Sequence, residues 1–476
     1  MRKSFLEKIK LEHYALLVIL LFAFFLRTFK LGLPSLWIDE ATSAIASKMI
    51  LLKGIPIFDS GVLYGRAYLF HYLQSFFLLF GETEFLLRFA TVLIGLLTIV
   101  LAYFVGKEYS KSGGLIAALF MSVFYLEVFY SRQSRFYQLF QLMFFLSLYL
   151  LYKSRDNSKF LYASLVSLFI TINTQIAGLV LAPFFIVHIL VYEKKMKKYW
   201  ALVPLVPILQ KFFVATGLSA DSASSAINYA SRYATYTGNL IYMIVLFFPG
   251  VVWSYFKKKR LTLLMVLPSV VLLIGIFSLQ TFAFRYAYFA VFPLVLYFSL
   301  LMSYLYEKYG KIILVVIAVL LIFPSNLIFP HTSVNILKPI DYSLYDPSAP
   351  TTDYKALPEE LLLELRNPDN TLISYFSSDV EWNIRKPDFV LPFSLDGRGS
   401  DQVSYNNTDG DNVDRYSGAP ILDMLDMTLE EDYYLIVDRF SSSKLKAKQR
   451  EFLGELTEGC EVSYESFDLK IYECFE

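Results

Sequence analysis

Long apolar runs separated by short polar loops dominate the first 330 residues of the chain. A helix needs about 20 predominantly apolar residues to cross a bilayer, and eleven runs reach or approach that length. The pattern therefore predicts a polytopic α-helical membrane protein. The predicted spans are Tyr14–Phe29, Phe85–Val105, Leu115–Tyr130, Phe136–Tyr152, Phe160–Asn173, Ile176–Tyr192, Trp200–Ala215, Gly238–Phe256, Leu261–Leu279, Phe284–Leu305 and Ile312–Ile328.

Basic residues in the loops predict the orientation of these spans. Cytoplasmic loops carry an excess of Lys and Arg, and such residues precede Tyr14 and fill loops such as Lys257–Arg260. All the basic loops fall inside when the short apolar segment Ala67–Phe80 does not span, so we expect that segment to form an interfacial or re-entrant helix. The run Ala41–Leu52 has helical spacing and is predicted to lie on the membrane surface. The N-terminus is then cytoplasmic and the C-terminus extracytoplasmic, in the plasma membrane.

The C-terminal segment differs from the rest in charge and in periodicity. Residues 330–476 contain 13 Lys and Arg against 29 Asp and Glu, although the whole chain has a net charge of +1 and a mean hydropathy of +0.49. Short strand-like runs alternate there with helical ones, which is typical of a small α/β domain. We therefore predict a membrane domain at 1–329 and an extracytoplasmic α/β domain at 330–476.

Two adjacent acids, Asp39 and Glu40, follow the first span within the stretch Leu36–Ala41. Carboxylates near the bilayer are costly without a partner or a function, and the neighbouring Trp37 is typical of the membrane interface. The alternative is a solvated loop start with an interfacial tryptophan.

Several cations are predicted to share the membrane face of the two acids. Arginine suits phosphate because its planar guanidinium donates two hydrogen bonds at once, so the set indicates a site for a lipid-borne phosphate. For any one of them, snorkelling of a side chain at a helix end is the alternative. The set comprises Arg66, Arg88, Arg132, Arg135, Lys211 and Arg285.

The chain resembles the membrane-integral glycosyltransferases of the GT-C fold, in particular family 39, the dolichyl-phosphate-mannose protein mannosyltransferases, and the related aminoarabinose transferases. The resemblance rests on Leu36–Ala41, Leu79–Arg88, Tyr130–Tyr137 and Arg285-Tyr286. It implies inverting transfer of a monosaccharide from a polyprenyl-phosphate donor at the outer face. Gln133 stands where members of the group often have an acid, which leaves the presence of a divalent cation open.

The resemblance implies Asp39 as the catalytic carboxylate, with Glu40 beside it. An inverting transfer needs a base for the acceptor proton and cations for the leaving phosphate. We assign donor-phosphate binding to Arg285, Arg132, Arg135 and Lys211. Further substrate contacts are expected at Arg66, His71, Arg88, Tyr137 and Tyr286; for His71, a hydrogen-bonded interfacial histidine is the alternative.

For the acceptor, the sequence indicates only a class of molecule. The acceptor is a lipid, a glycan or a protein, and no feature points to nucleic acid. Four histidines without paired spacing predict no metal site. A transporter or flippase for a lipid-linked or anionic substrate is the alternative function, although the chain lacks the repeated halves typical of transporters.

The two cysteines, Cys460 and Cys474, flank two strand-like runs joined by a tight turn. The ends of such a hairpin come back together, and disulfides persist in extracytoplasmic compartments. We expect a disulfide between them, with two free thiols as the alternative.

Overall fold

The computed structural model describes residues 11–192, 241–277, 284–325, 352–375, 377–391, 404–406, 412–422, 432–445 and 447–475. The chain divides into two compact units. The helical unit comprises Met1–Leu31 and Arg88–Ile340, and the mixed unit comprises Gly32–Leu87 and Asp341–Glu476. The first polar loop therefore groups with the C-terminal segment, which the sequence pattern did not indicate.

The helical unit consists of apolar helices that follow the predicted runs closely. Outward-facing side chains such as Leu21 on α1 and Val315 on α13 are exposed in the protein, as expected for surfaces that meet lipid. The helices are α1 (Leu11–Thr28), α4 (Glu84–Lys107, whose first residues belong to the mixed unit), α5 (Lys111–Val123), α6 (Tyr125–Ser131), α7 (Tyr137–Lys153), α8 (Lys159–Thr174), α9 (Leu181–Tyr192), α10 (Ile241–Phe277), α11 (Phe284–Ala287), α12 (Val291–Tyr309) and α13 (Ile312–Ser325), with 3₁₀ turns at Ile176–Val180 and Tyr288–Ala290.

Among the described residues, three helices are long and apolar enough to cross a membrane: Glu84–Lys107, Tyr242–Ile276 and Arg285–Tyr309. A fourth candidate is the pair α5 and α6, which bends by 63°. The predicted single span Leu115–Tyr130 is thus wrong in shape, because the extended backbone of Phe124 (φ −62°, ψ 122°) interrupts the helix.

The two spans predicted at 238–256 and 261–279 appear as one helix, α10, of 37 residues. Its backbone leaves the helical region at Lys258 (φ −141°, ψ 64°), inside the predicted loop Lys257–Arg260. A straight helix of this length would be about 55 Å long, well beyond the hydrocarbon core of a bilayer. The predicted span Trp200–Ala215 lies outside the described residues, and the total of eleven spans stays a prediction.

The mixed unit combines two loop helices with a five-stranded sheet in the order β2-β1-β5-β7-β6. The neighbouring strands β2, β1 and β5 are parallel, while β7 pairs antiparallel with β5 and β6. The sheet confirms the predicted alternation of strands and helices in the C-terminal segment. The elements are α2 (Ile38–Lys53), α3 (Tyr68–Leu78), a 3₁₀ turn (Tyr354–Ala356), α14 (Glu359–Arg366), β1 (Thr371–Ser374), α15 (Ser377–Asn383), β2 (Phe389–Val390), β3 (Ser404–Asn406), β4 (Asn412–Asp414), β5 (Tyr433–Asp438), α16 (Arg439–Lys444), α17 (Ala447–Leu456), β6 (Glu461–Glu465) and β7 (Leu469–Cys474).

Both faces of this sheet are covered by apolar side chains. Leu372 and Ile436 point to one cluster, whereas Ile373 and Leu435 point to the other, as the period-2 alternation of strands requires. The predicted disulfide between Cys460 and Cys474 is confirmed, with a Cα–Cα distance of 4.3 Å. It ties the end of β7 to the start of β6.

Helices α2 and α3 confirm that the two predicted segments are helical, and their position at the membrane surface stays a prediction. The 11 residues of α3 are too few to cross a bilayer. Helix α2 ends at Gly54, whose positive φ of 78° provides the usual left-handed C-cap. Tyr72 on α3 donates a hydrogen bond to the Gly54 carbonyl at 2.7 Å, so the two helices are joined at this end.

Candidate functional site

Asp39 and Glu40 occupy the first turn of α2 in the mixed unit. Acids are favoured there because the unpaired N–H groups of a helix N-terminus carry partial positive charge. Asp39 is half-buried and Glu40 is fully buried. The fold therefore presents one carboxylate to the surroundings and encloses its neighbour.

A buried polar network joins α2 to α3 one to two turns further along. Ser47 donates a hydrogen bond to Oε1 of Gln74 at 3.2 Å, and Nδ1 of His71 lies 3.3 Å from the same oxygen. Gln74 in turn donates to the carbonyl of Leu87 at 3.2 Å. This geometry accords with the alternative interpretation of His71 as a hydrogen-bonded interfacial histidine.

Arg66 is exposed and lies just before α3. The next residue, Ala67, is fully buried and adopts a left-handed backbone (φ 50°), which is uncommon outside glycine. The turn directs the chain from the loop into α3 and leaves the guanidinium of Arg66 accessible.

The C-terminal segment packs directly on α2. Thr42 donates a hydrogen bond to the Ser378 hydroxyl at 3.2 Å. Trp382 covers an apolar cluster that includes Ala41 and Ala44, one face of α2. Gly418 (φ 69°) approaches Ser60 so closely that an added Cβ would lie 3.0 Å from its backbone nitrogen. The C-terminal domain thus forms one wall beside the helix that carries Asp39.

A cavity of about 270 Å³ opens within the mixed unit between α2 and the C-terminal segment. Its lining combines two aromatic side chains with both signs of charge. Lys355 pairs with Glu84 at 3.0 Å, and the exposed pair Lys48–Glu82 (2.8 Å) lies at the other side. The lining residues are Ile45, Lys48, Glu82, Glu84, Tyr354, Lys355, Leu362, Arg366, Glu381, Trp382 and Asn383.

Two carboxyl groups of the short helix α15 have displaced pKa values. Burial raises the pKa of Glu381 to about 7, and the negative charge of Asp59 adds to the effect. Burial also raises the pKa of Asp379 to about 7, with the charge of Asp438 adding to it. Within the described part of the chain, Oε2 of Glu381 and Oδ1 of Asp379 are buried atoms without a hydrogen-bond partner.

In the helical unit, three buried arginines bind main-chain carbonyls. Nη1 of Arg132 donates to the carbonyls of Leu26 (2.9 Å) and Phe29 (2.6 Å) at the end of α1. Arg27 donates to the carbonyl of Ser122 at 2.8 Å, at the end of α5, and Arg88 to that of Leu31 at 3.0 Å. These carbonyls are the unpaired acceptors of helix ends, which favour cations.

Arg135 and Arg285 lie beside aromatic rings. The guanidinium of Arg135 is buried over the rings of Phe136 (4.8 Å) and Tyr137 (5.6 Å). That of Arg285 is half-buried and lies 5.6 Å from the ring centre of Tyr286. Such rings attract a cation through their negative faces. Lys211 lies outside the described residues.

A buried carboxylate network in the helical unit was missed from the sequence. Glu127 on α6 accepts hydrogen bonds from Gln141 (2.7 Å) and Tyr288 (2.8 Å), and Gln138 lies at 3.5 Å. Gln138 also donates to Thr98 on α4 at 2.9 Å. Gln138 and Gln141 are three apart on one face of α7. This spacing of polar residues inside an apolar run could have indicated a buried polar network from the sequence.

Gln133, where the resembling enzymes often have an acid, is buried in the loop between α6 and α7. Its Oε1 atom is buried without a hydrogen-bond partner among the described residues. No group of three or more His, Cys, Asp or Glu side chains comes together as a metal site in the described part of the chain.

Comparisons with known proteins agree with this arrangement. Residues 66–215 match the family model of dolichyl-phosphate-mannose-protein mannosyltransferase. ArnT from Cupriavidus metallidurans in the apo state superposes with a TM-score of 0.60 at 11% identity, over 97% of both chains. The chain has the GT-C fold. The resemblance inferred from the sequence is thereby confirmed, and the protein is an integral membrane protein.

Two further GT-C structures extend the comparison. ArnT from Cupriavidus metallidurans bound to undecaprenyl phosphate gives a TM-score of 0.57 at 12% identity, again over 97% of both chains. The archaeal oligosaccharyltransferase AglB from Archaeoglobus fulgidus, in complex with an inhibitory peptide and a dolichol-phosphate, gives 0.50 at 13% identity. That match covers 80% of this chain and 64% of AglB, so the chain spans less than two thirds of that enzyme. A sequence comparison with curated proteins gives no match.

Proposed function

We propose that this GT-C protein transfers a monosaccharide, with inversion, from a polyprenyl-phosphate donor to an acceptor at the outer face of the plasma membrane. The observation that carries the proposal is the half-buried Asp39 in the first turn of α2. It stands in the stretch that carries the family resemblance, on the helix whose Ile45 and Lys48 line the cavity of the mixed unit. The N-terminus is cytoplasmic in this proposal and the C-terminal domain extracytoplasmic.

Asp39 acts as the general base. Its carboxylate accepts the proton of the acceptor group as that group attacks the anomeric carbon, while the bond from this carbon to the phosphate oxygen breaks. The bonding electrons leave with the polyprenyl phosphate, so no protein nucleophile is needed. A positioned base typically contributes about 10²–10⁴-fold to the rate. Glu40 is enclosed and supports the first turn of α2.

The donor phosphate is bound by Arg285 and Arg135, with Lys211 assisting. Preorganised cations stabilise the charge that develops on the leaving phosphate. Arg132 contributes mainly through the loop, since its Nη1 atom is engaged by the carbonyls of α1. Solved GT-C structures bound to undecaprenyl phosphate and to dolichol-phosphate support a donor of this class.

Glu127 positions the segments that carry these cations. It lies on α6, which runs directly into the loop holding Arg132 and Arg135, and it accepts a hydrogen bond from Tyr288, three residues after Arg285. One carboxylate thereby joins two cation-bearing segments of the helical unit. We infer a positioning role, because its hydrogen-bond partners among the described residues are protein side chains.

The cavity of the mixed unit receives the acceptor. Its polar lining, the half-buried Trp382 ring and the unsatisfied Oε2 atom of Glu381 suit a hydroxyl-bearing group, such as one unit of a glycan. About nine water molecules would fill 270 Å³, so the space accommodates one small ring.

A second candidate function is a transporter or flippase for the same class of lipid. The buried Glu127 favours it, since an ionisable residue inside a membrane protein often marks a transport pathway. The two functions differ in whether a glycosidic phosphate bond is broken. Release of free polyprenyl phosphate distinguishes them.

The test uses the purified full-length protein in detergent with undecaprenyl-phosphate-linked hexoses as donors. We expect release of undecaprenyl phosphate, and weaker donor binding for Arg285→Ala than for Arg285→Lys, because lysine keeps the charge and loses the bidentate geometry. Lys308→Ala, on α12 well away along the chain, serves as the matched cation control. Unchanged donor affinity in Arg285→Ala would exclude the phosphate role, and movement of donor across vesicles without bond cleavage would favour the flippase.

A further inference from the structure

A second cavity of about 270 Å³ lies in the helical unit, at the end of α7 and the break in α10. Four of its six lining residues are cations, and one is an acid. This composition is independent of the catalytic proposal. The lining residues are Tyr152, Arg155, Asp156, Lys258, Lys259 and Arg260.

Arg260 is already used by the fold. It donates hydrogen bonds to the carbonyls of Leu151 (3.3 Å) and Tyr152 (3.0 Å) at the end of α7, and to Nε2 of His188 at 3.0 Å. A cation at a helix C-terminus satisfies carbonyls that have no partner within the helix. Arg260 therefore has protein acceptors already, and we do not count it among the residues that bind a ligand in the cavity.

Asp156 is partly neutralised by Lys153, whose ammonium lies 3.7 Å from its carboxylate. The exposed Arg155 and the half-buried Lys258 take part in no ion pair within the described residues. Lys259 adds a third charge, with its ammonium 5.4 Å from the Tyr255 ring centre. The cavity therefore has an excess of positive charge over the one acid.

The break in α10 explains why these cations face one space. Consecutive helical residues point about 100° apart, so Lys258, Lys259 and Arg260 could not line a single cavity on an unbroken helix. The non-helical backbone of Lys258 changes that direction. A bend that gathers like charges costs electrostatic energy, and an anion would offset it.

Aromatic rings beside the cavity are typical of the depth of lipid headgroups. Lys257 lies 4.7 Å from the ring centre of Trp253, and Arg260 lies 5.2 Å from that of Tyr152. Tryptophan and tyrosine gather at the membrane–water interface, and basic pockets between helices there suit phosphate-bearing headgroups. The basic loops also lie on the predicted cytoplasmic side.

We propose that this cavity binds the phosphate of an anionic membrane lipid, with Arg155, Lys258 and Lys259 as its ligands. The guanidinium of Arg155 supplies paired hydrogen bonds to two phosphate oxygens, and the lysines supply point charges. Phosphatidylcholine carries the same phosphate but a compensating cation, so it binds more weakly. The lipid anchors the loop between α7 and α8 against the broken helix.

The test is native mass spectrometry of the full-length protein in neutral detergent, titrated with dioleoylphosphatidylglycerol or dioleoylphosphatidylcholine. Wild type should bind the glycerol lipid more tightly than the choline lipid. Lys258→Gln with Lys259→Gln should weaken that binding roughly 30-fold, since each basic residue near an anionic lipid contributes about 1 kcal/mol.

Lys308→Gln with Lys311→Gln is the matched control, because these two exposed lysines fall in another predicted cytoplasmic loop and do not line the cavity. Affinity should stay unchanged there. Equal losses in both double variants would overturn the proposal in favour of general surface charge. If the first pair fails to fold, Arg155→Gln at an exposed loop position should still lower the affinity.

Inorganic phosphate provides the last arm. The assignment would be overturned if millimolar phosphate protected the wild type against thermal unfolding, the double variant Lys258→Gln with Lys259→Gln lost this protection, and phosphatidylglycerol bound no better than phosphatidylcholine. The ligand would then be a soluble anion and not a lipid. Protection by phosphatidylglycerol and not by phosphate supports the assignment.

Discussion

Buried carboxylates in the two units are treated in opposite ways. Glu127 of the helical unit is enclosed among donors, with Gln141 and Tyr288 each within 2.8 Å. In the mixed unit, Asp379 is buried and Glu381 is half-buried, and each has one buried oxygen without a hydrogen-bond partner among the described residues. Both carboxyl oxygens thus have hydrogen-bond donors in the helical unit, whereas one oxygen of each carboxyl group lacks a donor in the mixed unit.

The difference separates structural from chemical roles. A buried polar atom without a partner costs about 1–3 kcal/mol, so a fold retains one where a proton or a ligand compensates. Saturation of Glu127 is consistent with positioning of the segments around it. The incomplete carboxyls of α15 fit a place where protonation or an acceptor completes the hydrogen bonding.

The largest expected effect is the loss of the Glu127 network. Glu127→Ala removes the nearest acceptor of Gln141, leaves the Tyr288 hydroxyl with Gln138 as its main partner and opens a cavity. This loss should destabilise the helical unit by about 3–5 kcal/mol. Thermal unfolding in detergent, followed by circular dichroism, measures the loss. Glu127→Gln keeps the size and one acceptor oxygen and should lose less. A variant as stable as wild type would mean that the network is not structural.

At Asp379 we expect a smaller change in the free energy of unfolding, and one that stabilises the protein at neutral and higher pH. Its folded pKa of about 7 exceeds the ordinary value of 3.8, so the fold favours the protonated form. This contribution to stability is complete below about pH 4 and is lost as the pH rises through 7. Asp379→Asn stays neutral and keeps an acceptor for the Tyr354 hydroxyl, which lies 3.1 Å from the native carboxylate.

At pH 8 we therefore expect Asp379→Asn to be more stable than wild type by about 2–4 kcal/mol, the upper value being the full displacement of the pKa, and at pH 4 to be nearly equal to it. Unfolding followed across this range by Trp fluorescence measures the difference. A constant offset at all pH values would show that Asp379 does not titrate in the folded protein.

The smallest effect concerns the acceptor cavity. Glu381→Gln removes the charge and keeps the shape, and we expect the KM for the acceptor to rise about five- to tenfold while donor binding stays unchanged, which corresponds to about 1 kcal/mol. Glu451→Gln, at an exposed position of α17 that does not line the cavity, is the matched control with little change. Equal effects of both variants would assign the change to general electrostatics.

Much of the fold was predictable because local patterns determine it. Apolar run length identified the helices, strand-like runs alternating with helical ones indicated the α/β domain, and the hairpin flanked by Cys460 and Cys474 predicted the disulfide. The bend at Phe124 escaped prediction because a continuous apolar run carries no signal of its backbone angles.

The candidate site was predictable in part. The pair Asp39-Glu40 stood out because acids are unusual beside an apolar span. Glu381 and Trp382 gave no such signal, since their relation to α2 depends on contacts more than 300 residues apart in the chain. Arg132 was identified as a cation, but its carbonyl partners could not be read from a local pattern.

Single-turnover release of undecaprenyl phosphate by Asp39→Asn tests the central claim most directly. Wild-type protein and Asp59→Asn, a variant at the exposed acid that pairs with Lys53 at 2.9 Å, serve as references. We expect Asp39→Asn to bind donor lipid normally and to lose at least about 10²-fold in the rate of release, while Asp59→Asn does not. A near-normal rate in Asp39→Asn would contradict the claim.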